Sequence, residues 1–397
     1  MAVPQRNPIP EVVVLVETSR SYARDILRGI MRYEMMHGPW NIYSIPGGRK
    51  EQRLPKMSYR NMKGIIAHIT SARMIGEILQ ANVPTVSVFP SDDIPGIDGK
   101  IRKYGEVRCD STAIGQVAAS YLLDRRFPHY GFVGELYDVD WSNMRRDAFA
   151  EEVARSGHQT HIYPTPTADQ QDWNCEQERF CEWLLSLPKP IGIFTAHDIR
   201  GRHVIDACHT MQIVIPEEVA VLGVDNDELF CESITPRLSS VALDSEKAGY
   251  EAAKMLDELM RGSRKTKKAV FGPTRVVSRR SSDFFHVDDK IVREALRFIQ
   301  SFFPQPISVQ DVVKATGVSR RLLEMRFKHC MGHSLLDEIK RRRLEKVKTF
   351  LLETDLSLEK IAEICGFQSK NYLVNVFRKE FGTTMGTFRS KHGLSSR

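Results

Sequence analysis

Polar and charged side chains gather directly after short apolar runs in the first part of the chain. The segments are residues 17–19, 70–71, 138–145, 195–198 and 225–227. A carboxylate or a guanidinium group can bind two neighbouring hydroxyl groups through charge-assisted hydrogen bonds. Asp225 and Arg145 are therefore the first candidates for binding a ligand with neighbouring hydroxyl groups, followed by Asp110 and Glu17.

Two aromatic residues, Trp141 and Phe89, could cover the apolar face of a sugar ring, or could equally lie in the core. Other candidates also have a second interpretation. Asp110 and Asp198 each stand where a helix is predicted to begin, so each could cap that helix instead of contacting a ligand. Glu17 could be a solvated loop charge.

A second set of candidates lies in an internal repeat near the C-terminus. Residues 308–318 align with residues 357–367, and residues 319–328 align with residues 369–378. Each half has the order serine, short helix, glycine turn, serine and second helix, and Ser308-x-x-Asp311 adds a capping-box pattern. A short helix held at a steep angle by a glycine turn can enter the major groove of DNA.

The second helix of each half has a buried side and an outward side. Apolar residues four positions apart mark the buried side: Leu323 with Phe327, and Leu373 with Phe377. The outward residues are Arg320, Arg321, Glu324 and Lys328 in the first half, and Lys370, Asn371, Val374, Asn375 and Arg378 in the second. Arginine suits guanine, asparagine suits adenine, and glutamate can accept from cytosine. Lys379 is expected to face phosphate.

Charge divides unevenly along the chain. Residues 290–397 hold 21 lysines and arginines against 11 acidic residues, a net charge of +10, whereas the preceding part holds 36 basic and 39 acidic residues. A basic unit on a nearly neutral body is typical of a protein whose terminal part alone meets a polyanion. The predicted helix 335–352 joins the two halves and carries the basic run 340–343, which could be solvated or could contact phosphate.

Eight short runs rich in valine and isoleucine predict buried strands, with helical patterns between them. The runs are residues 12–16, 41–45, 64–69, 85–89, 130–134, 160–163, 191–196 and 219–224. The helical stretches are residues 21–36, 72–81, 111–125, 142–156, 176–187 and 199–211. This alternation predicts parallel sheets with helices on both faces, in two lobes whose strand ends face one cleft.

The fold class that follows is a two-lobed α/β region joined to an all-α domain with two helix-turn-helix units. Residues 1–282 are expected to form the lobes, residues 283–289 a linker, and residues 290–397 the helical domain. The opening apolar run has five residues, so we expect no membrane association and a cytoplasmic location. Seven scattered cysteines without a C-x-x-C pair indicate reduced thiols.

Short motifs in the first region resemble the sensor family of ribose-binding proteins and the lactose repressor. They are Val107-Arg108-Cys109-Asp110 before a helix with Gly115, Arg145-x-x-Ala148-Phe149, Leu222-Gly223-Val224-Asp225, and the closing stretch 273–281. The resemblance covers roughly residues 10–282. It departs at Ala148, where the family usually has glycine, and at His197, where it commonly has asparagine. It implies a sugar site that includes Arg145, His197 and Asp225.

The repeat resembles the AraC/XylS family over roughly residues 290–391. The signature is Ile361-Ala362, Gly366-Phe367, Tyr372-Leu373, Phe377-Arg378-Lys379, Gly382 and Phe388-Arg389. Departures are Met385 for the usual proline, Leu373 for phenylalanine and Val347 for alanine. The family's base-reading positions correspond here to Arg321, Glu324, Met325, Asn371 and Asn375.

The pairing of these two regions is similar to bacterial regulators of D-xylose operons. The resemblance implies a transcription activator with D-xylose or a related pentose as effector, operator DNA and RNA polymerase as partners, and a homodimer. No G-x-S-x-G, H-E-x-x-H or Walker A motif occurs, so we expect no catalytic residues, metal or cofactor. The alternatives are a carbohydrate-binding protein or a sugar-processing enzyme with an incidental basic tail.

Overall fold

The structure, a computed structural model, describes residues 9–48, 51–54, 62–90, 104–165, 173–263, 267–287, 289–303, 305–354 and 356–392. It divides into two compact units, Met1–Asp283 and Phe284–Arg397. Each unit has its own apolar core, and each is described by itself. No helix among the described residues is long and apolar enough to cross a membrane.

The first unit contains all the strands that the structure describes. They are β1 Glu11–Leu15, β2 Asn41–Ser44, β3 Met62–Ala67, β4 Thr85–Val88, β5 Tyr104–Cys109, β6 His129–Val133, β7 Thr160–Ile162, β8 Ile191–Thr195, β9 Val219–Val224, β10 Ser239–Leu243, β11 Lys267–Phe271 and β12 Pro273–Val277. Its helices are α1 Ser21–His37, α2 Ala72–Ala81, α3 Ser111–Leu123, α4 Asp140–Arg155, α5 Trp173–Ser186, α6 Asp198–Thr210, α7 Glu228–Ser233 and α8 Ser245–Met260.

The strands form two six-stranded sheets, one in each lobe. The first has the order β11-β5-β4-β3-β1-β2, and the second has the order β12-β10-β9-β8-β6-β7. The prediction of parallel sheets is confirmed, with one exception. β12 runs antiparallel to β10, because it follows β11 after a single residue and enters the second sheet without a crossover helix. The central strands are buried, as β9 is along its whole length.

Four strands lie outside the eight predicted runs: β5, β10, β11, and β12, which falls in the closing stretch 273–281 that the family resemblance covers. Polar residues break the apolar pattern of β5, β10 and β11. Glu106 lies within β5, and Ser239 and Lys267 are the first residues of β10 and β11. These strands flank the three places where the chain passes between the lobes. Backbone hydrogen bonds tie the crossings together, from Asp110 N–H to the Phe271 carbonyl at 2.7 Å and from Asp244 N–H to the Gly272 carbonyl at 3.2 Å.

Helices α1 and α8 pack against each other at very close range in the first lobe. A Cβ atom on Gly29 would lie 1.9 Å from the Glu246 carbonyl oxygen, and one on Gly249 would lie 2.0 Å from that of Ile26. Only glycine allows the two backbones to approach this closely. This packing holds α1, whose N-terminal end lies beside the site described below.

The second unit is helical throughout its described part. Its helices are α9 Lys290–Phe302, α10 Val309–Thr316, α11 Arg320–Met331, α12 Leu335–Glu353, α13 Leu358–Ile364, α14 Lys370–Phe381 and α15 Met385–His392. Two apolar clusters form its core, one around Leu323 and Phe327 and the other around Leu373 and Phe377. The α10–α11 pair and the α13–α14 pair are the two halves of the repeat.

The turn chemistry predicted for the repeat is confirmed. Serines cap the second helix of both halves, with the Ser319 hydroxyl accepting from Leu322 N–H and the Ser369 hydroxyl from Tyr372 N–H. The Asp311 carboxylate accepts from the Ser308 N–H at 2.8 Å, which completes the predicted capping box. Gly317 and Gly366 adopt positive φ angles of 66° and 72° in the two turns.

The stretch predicted as a linker is largely part of the second unit. Phe285 and Val287 are buried in the cluster around Leu323. Asp289 caps α9 by accepting from Ile291 N–H at 2.9 Å, and it also accepts from Arg326 at 3.1 Å. A linker was predicted here because the stretch lies between the closing strand and the helical domain, but its two apolar side chains complete a core.

Candidate functional site

A cavity of about 380 Å³ lies between the two lobes of the first unit. Its wall takes Arg20, Tyr22, His68 and Phe89 from the first lobe and Glu135, Trp141, Arg145, His197 and Asp225 from the second. Most of the second-lobe residues follow the carboxyl ends of β6, β8 and β9. The predicted convergence of strand ends on one cleft is therefore observed.

Five of the residues named from the sequence line this cavity together: Phe89, Trp141, Arg145, His197 and Asp225. Glu17 and Asp110 are absent from the lining. The Glu17 carboxylate accepts from the Ser19 hydroxyl at 3.2 Å and lies 3.5 Å from the Arg20 guanidinium. The Asp110 carboxylate caps α3 by accepting from Ala113 N–H at 2.9 Å, which is the second interpretation that its position allowed.

Arg145 is a buried cation on the inner face of α4, with 4% of its surface exposed. Its Nη1 donates to the Ala196 carbonyl, and its guanidinium carbon lies 4.9 Å from the centre of the Trp141 ring. Its Nε has no hydrogen-bond partner among the described residues. A buried donor without a partner is costly unless another molecule accepts from it.

Asp225 follows β9 in a conformation that L residues rarely adopt, with φ at 100°. Its N–H donates to the Val241 carbonyl at 3.0 Å. Burial raises the pKa of its carboxyl group, while the positive charge of Arg145 opposes this rise. Backbone strain of this kind is typical of functional sites, where the surrounding fold holds the residue in place.

Glu135 and His197 form a pair that the sequence analysis missed. Glu135 Oε2 lies 2.9 Å from His197 Nε2, while His197 Nδ1 accepts from Arg200 N–H. This assigns the proton to Nε2, which donates to the carboxylate. Burial alone would raise the pKa of Glu135, but His197 and the Leu136 N–H outweigh it and lower that pKa to about 2. The position of Glu135 just beyond β6 could have identified it as a candidate, because other cavity residues also follow strand ends.

Asp198 lies behind the cavity wall instead of capping α6, whose cap is His197. Its buried carboxyl group contacts the Ser240 hydroxyl at 2.5 Å, the Asp227 N–H at 3.0 Å and the Cys231 thiol at 3.4 Å. Burial, followed by the nearby Asp225 charge, raises the pKa of Asp198 to about 8. At neutral pH this group is therefore largely protonated and supports the loop that carries Asp225.

Aromatic rings form the apolar part of the wall. Tyr22 and Phe89 meet edge to face with centroids 4.8 Å apart, and His68 lies 5.7 Å from Phe89. Phe89 has a φ angle of 51°, which turns the chain directly after β4. Trp141 comes from the other lobe and lies 6.1 Å from the His197 ring. Flat apolar rings from both lobes suit the carbon face of a sugar.

One ion pair links the lobes beside the cavity. Arg24 of α1 donates to the Asp227 carboxylate at 3.1 Å, and its Nη1 donates to the Thr18 carbonyl at 3.0 Å. Asp227 also caps α7 through Phe230 N–H. The first lobe is thus joined to the segment that holds Asp225.

On α11 the predicted outward face is exposed. Arg320, Arg321 and Lys328 are exposed, and Met325 has 61% of its surface exposed. Glu324 is half-buried and accepts from Arg320 at 2.9 Å, so these two side chains partly neutralise each other. Arg321 and Met325 are the more available of the predicted base-reading residues.

On α14 the outward residues Lys370, Asn371, Asn375, Arg378 and Lys379 are exposed. Lys370 donates to Glu359 of the preceding helix at 2.7 Å. Val374 does not belong to this outward face, because it is half-buried and packs on the cluster around Phe377. Tyr372, which had no predicted contact role, is 43% exposed on the same helix.

The basic run 340–343 is neither a plain solvated face nor a free phosphate-binding surface. Arg341 and Arg342 both donate to the Glu338 carboxylate, at 3.1 and 2.8 Å. Glu338 is fully buried and also contacts His333. Burial would raise its pKa, but the two arginines lower it to about 2. Arg343 donates to backbone carbonyl groups.

No group of three or more potential metal-ligating side chains occurs in the part of the chain that the structure describes. The cavity wall consists of hydrogen-bonding and charged side chains together with aromatic rings. Such a set can bind and orient a neutral polar molecule.

Comparison with known proteins relates each unit to a family. A periplasmic binding protein-like domain matches residues 119–282, and a helix-turn-helix domain matches residues 312–391. The chain is 30% identical over 387 residues to the xylose operon regulatory protein of Haemophilus influenzae, covering 96% of this chain and 98% of that one. It is 29% identical to the Escherichia coli K12 protein of the same name, covering 95% and 96%.

A solved structure is similar over the same extent. The xylose-binding transcription activator xylR has a TM-score of 0.59 and 28% identity, covering 96% of this chain and 98% of that chain. The similarity therefore extends over both units of the chain.

Proposed function

Because this chain belongs to the family of xylose operon regulatory proteins, we propose that D-xylose, or a pentose closely related to it, is the effector that binds between its lobes. The chain is a sugar-responsive, AraC-type transcription activator, and an enzymatic role is not supported.

The observation that carries this proposal is the interlobe cavity with Arg145 and Asp225 in its wall. A volume of 380 Å³ lies near the lower end of the range for small-molecule sites, which suits a monosaccharide. The Nε of Arg145 supplies a buried donor that a ring or hydroxyl oxygen can satisfy. The Asp225 carboxylate can accept from two hydroxyl groups.

The remaining wall residues have complementary roles. Glu135 and His197 already bind each other, so they would contact the sugar as one hydrogen-bonded pair instead of as two separate charges. Phe89 and Trp141 are assigned to the apolar face of the ring. Glu17 and Asp110 are left out of the contact set, because their carboxylates have the partners described above.

Control follows from the position of the ligand between two movable lobes. A sugar that contacts both lobes stabilises the closed arrangement of the lobes over the open one. The size of this stabilisation is set by the difference between the sugar's affinities for the two arrangements. In a homodimer this shift would change the placement of the two DNA-binding units. We propose a cytoplasmic protein of this kind, with residues 1–282 as sensor and residues 290–397 binding operator DNA and acting on RNA polymerase.

The two halves of the repeat are proposed to read successive major grooves. α11 would use Arg320, Arg321, Glu324, Met325 and Lys328, and α14 would use Lys370, Asn371, Asn375, Arg378 and Lys379. Groove centres on one face of the duplex lie roughly 34 Å apart, about one helical turn. Each chain would then occupy two short half-sites about 10 base pairs apart.

The test of the effector is titration calorimetry of the full chain with D-xylose, L-arabinose, D-ribose and D-glucose. We expect D-xylose to bind at least about tenfold more tightly than the other three, a difference of about 1.4 kcal/mol. Operator selection from randomised duplexes, with and without the best sugar, follows. Tightest binding of a hexose would overturn the pentose assignment, and DNA binding that no sugar alters would overturn the mode of control.

A further inference from the structure

We infer that Arg343 is a positioning residue that fixes the separation of the two DNA-reading helices, and hence the half-site spacing that the protein accepts. This inference rests on the proposed two-groove binding. It concerns a side chain that the base-reading assignments do not use.

Arg343 projects from the middle of α12, the helix that joins the two halves. Its Nε donates to the Phe303 carbonyl at 3.2 Å, and its Nη2 donates to the carbonyls of Gln305 and Ile307 at 2.9 and 3.0 Å. These carbonyl groups belong to the segment that leads from α9 into α10. One guanidinium group therefore holds the start of the first half against the connecting helix.

The same guanidinium group touches the turn of the second half. A Cβ atom on Gly366 would lie 3.0 Å from Arg343 Nε, 3.1 Å from its Cζ and 3.0 Å from the Gln305 carbonyl oxygen. Gly366 has a positive φ of 72° and sits between α13 and α14. Arg343 thus contacts both the segment that leads into the first half and the turn of the second half.

The chemistry of arginine suits this place. A guanidinium group has five donors in a rigid planar fork, so it can bind several carbonyl oxygens while its face packs on a glycine. A lysine ammonium has fewer donors and no flat face. The neighbouring Arg341 and Arg342 bind Glu338 of the same helix, and that contact does not span the two halves.

If the distance between α11 and α14 is fixed, the protein should prefer one separation of its two half-sites on DNA. An inserted base pair moves one half-site by about 3.4 Å and rotates it around the duplex, since a turn takes about 10 base pairs over 34 Å. A protein whose halves cannot adjust loses contacts at one half-site. If the contact at Arg343 is removed, the halves can adjust and the penalty decreases.

The experiment uses the full chain with D-xylose and the operator selected by the unaltered protein. Its duplex is then remade with one or two base pairs added or removed between the half-sites, and with one half-site scrambled. The variants are Arg343→Met, Arg343→Gln and Arg343→Lys, and the matched control is Arg341→Met on the same helix. Circular dichroism establishes that each variant is folded before its affinities are compared.

We expect the unaltered protein and Arg341→Met to lose roughly tenfold or more in affinity when the spacing changes by two base pairs. For Arg343→Met and Arg343→Gln the loss should be about threefold or less, with Arg343→Lys intermediate. Equal weakening on every spacing, or an unchanged spacing penalty in both the Met and Gln variants, would overturn the inference. Failure of the unaltered protein to bind any duplex would instead overturn the proposed function.

Discussion

The interior of the first unit and the proposed DNA-reading helices of the second unit, α11 and α14, hold their polar groups in opposite ways. In the first unit, Arg200 and Glu176 are almost completely buried and bind each other through two hydrogen bonds. In the second, Arg321 and Asn375 are exposed. Buried charges need partners for the fold to form, whereas exposed ones do not. A substitution in the sensor should therefore affect stability or sugar binding, and one on a reading helix should affect DNA recognition alone.

The largest effect that this contrast predicts is on the stability of the first unit. Arg200→Met leaves the Glu176 carboxylate buried without its partner, which should lower the free energy of unfolding by about 3–5 kcal/mol. All four tryptophans of the chain lie between residues 40 and 183, so tryptophan fluorescence during urea unfolding reports this unit.

The control for that experiment lies two residues along the same helix. Arg202 pairs with Asp206 at 3.2 Å, and both side chains are 45% exposed. Arg202→Met should change the unfolding free energy by less than about 0.5 kcal/mol. A similar loss of unfolding free energy in both variants would show that burial does not determine the cost of losing an ion pair here.

Sugar affinity should change next most strongly. Asp225→Asn and Arg145→Met each remove a charged hydrogen-bonding group, which should weaken binding by about 1.5–3 kcal/mol, or roughly tenfold to over a hundredfold. Glu17→Gln should have less than a threefold effect, because its carboxylate lies outside the cavity wall. Calorimetry with D-xylose measures all three, and unchanged affinity in a folded Asp225 or Arg145 variant removes that residue from the site.

On the reading helices, single substitutions should change sequence preference without changing stability. Arg321→Ala and Asn375→Ala should each cost roughly 1–3 kcal/mol of DNA-binding free energy at one half-site, and the half-sites should differ. Lys379→Ala should weaken all sequences uniformly and reduce the salt dependence by about one charge. Selection from randomised duplexes at fixed salt concentration shows which bases lose preference. A shift at the same bases for Arg321 and Asn375 would contradict the two-groove arrangement.

A separate effect on stability should appear as pH dependence. The pKa of Asp198 is raised from 3.8 to about 8 in the folded unit. The folded protein therefore binds this proton more tightly than the unfolded chain, so the resulting stability is full below pH 3.8 and is lost as the pH rises toward 8. From pH 5 to pH 8 this one proton should lower the stability of the sensor by about 3–4 kcal/mol, and Asp198→Asn should remove that contribution to the slope. Equal slopes in both proteins, measured by urea unfolding, would refute this assignment.

The smallest predicted effect concerns the ion pair between the lobes. Arg24 is 42% exposed and Asp227 is 21% exposed, so their attraction is largely screened. Arg24→Met should weaken sugar binding by less than about 1 kcal/mol, and high salt should reduce the difference. Arg28→Met is the control, because Arg28 pairs with Asp25 within the same helix. Stronger sugar binding by the Arg24 variant would mean that the pair opposes the bound arrangement.

Local patterns predicted most of the fold. The eight apolar runs correspond to eight strands, and each serine and glycine of the repeat lies at a cap or a turn. The strands β5, β10 and β11 were missed because they carry polar residues at lobe crossings, where pairing with a neighbour outweighs the intrinsic preference of the segment. The arginines bound to Glu338 follow helical i, i+3 and i, i+4 spacing, so that network was accessible from the sequence.

The candidate site was predicted less completely, and the reason is geometric. Residues directly after strands, such as Asp225, could be placed at a cleft because the ends of parallel strands share one edge. Tyr22 and His68 reach the same cavity from the other lobe, and no sequence spacing encodes how two lobes face each other. Whether an acidic residue contacts a ligand or caps a helix, as Asp110 does, depends on side-chain direction, which the sequence pattern leaves open.

The three crossings between the lobes also set an order for synthesis. The first sheet needs β11, which ends at Phe271, and the first lobe needs α8, so neither lobe can be completed before most of the sensor has been made. The helical unit is encoded as one continuous stretch after it. Because chains leave the ribosome N-terminus first and domains fold as units, translation that stops early yields a chain without its reading helices. Incomplete chains therefore lack the helices with which the protein is proposed to bind operator DNA.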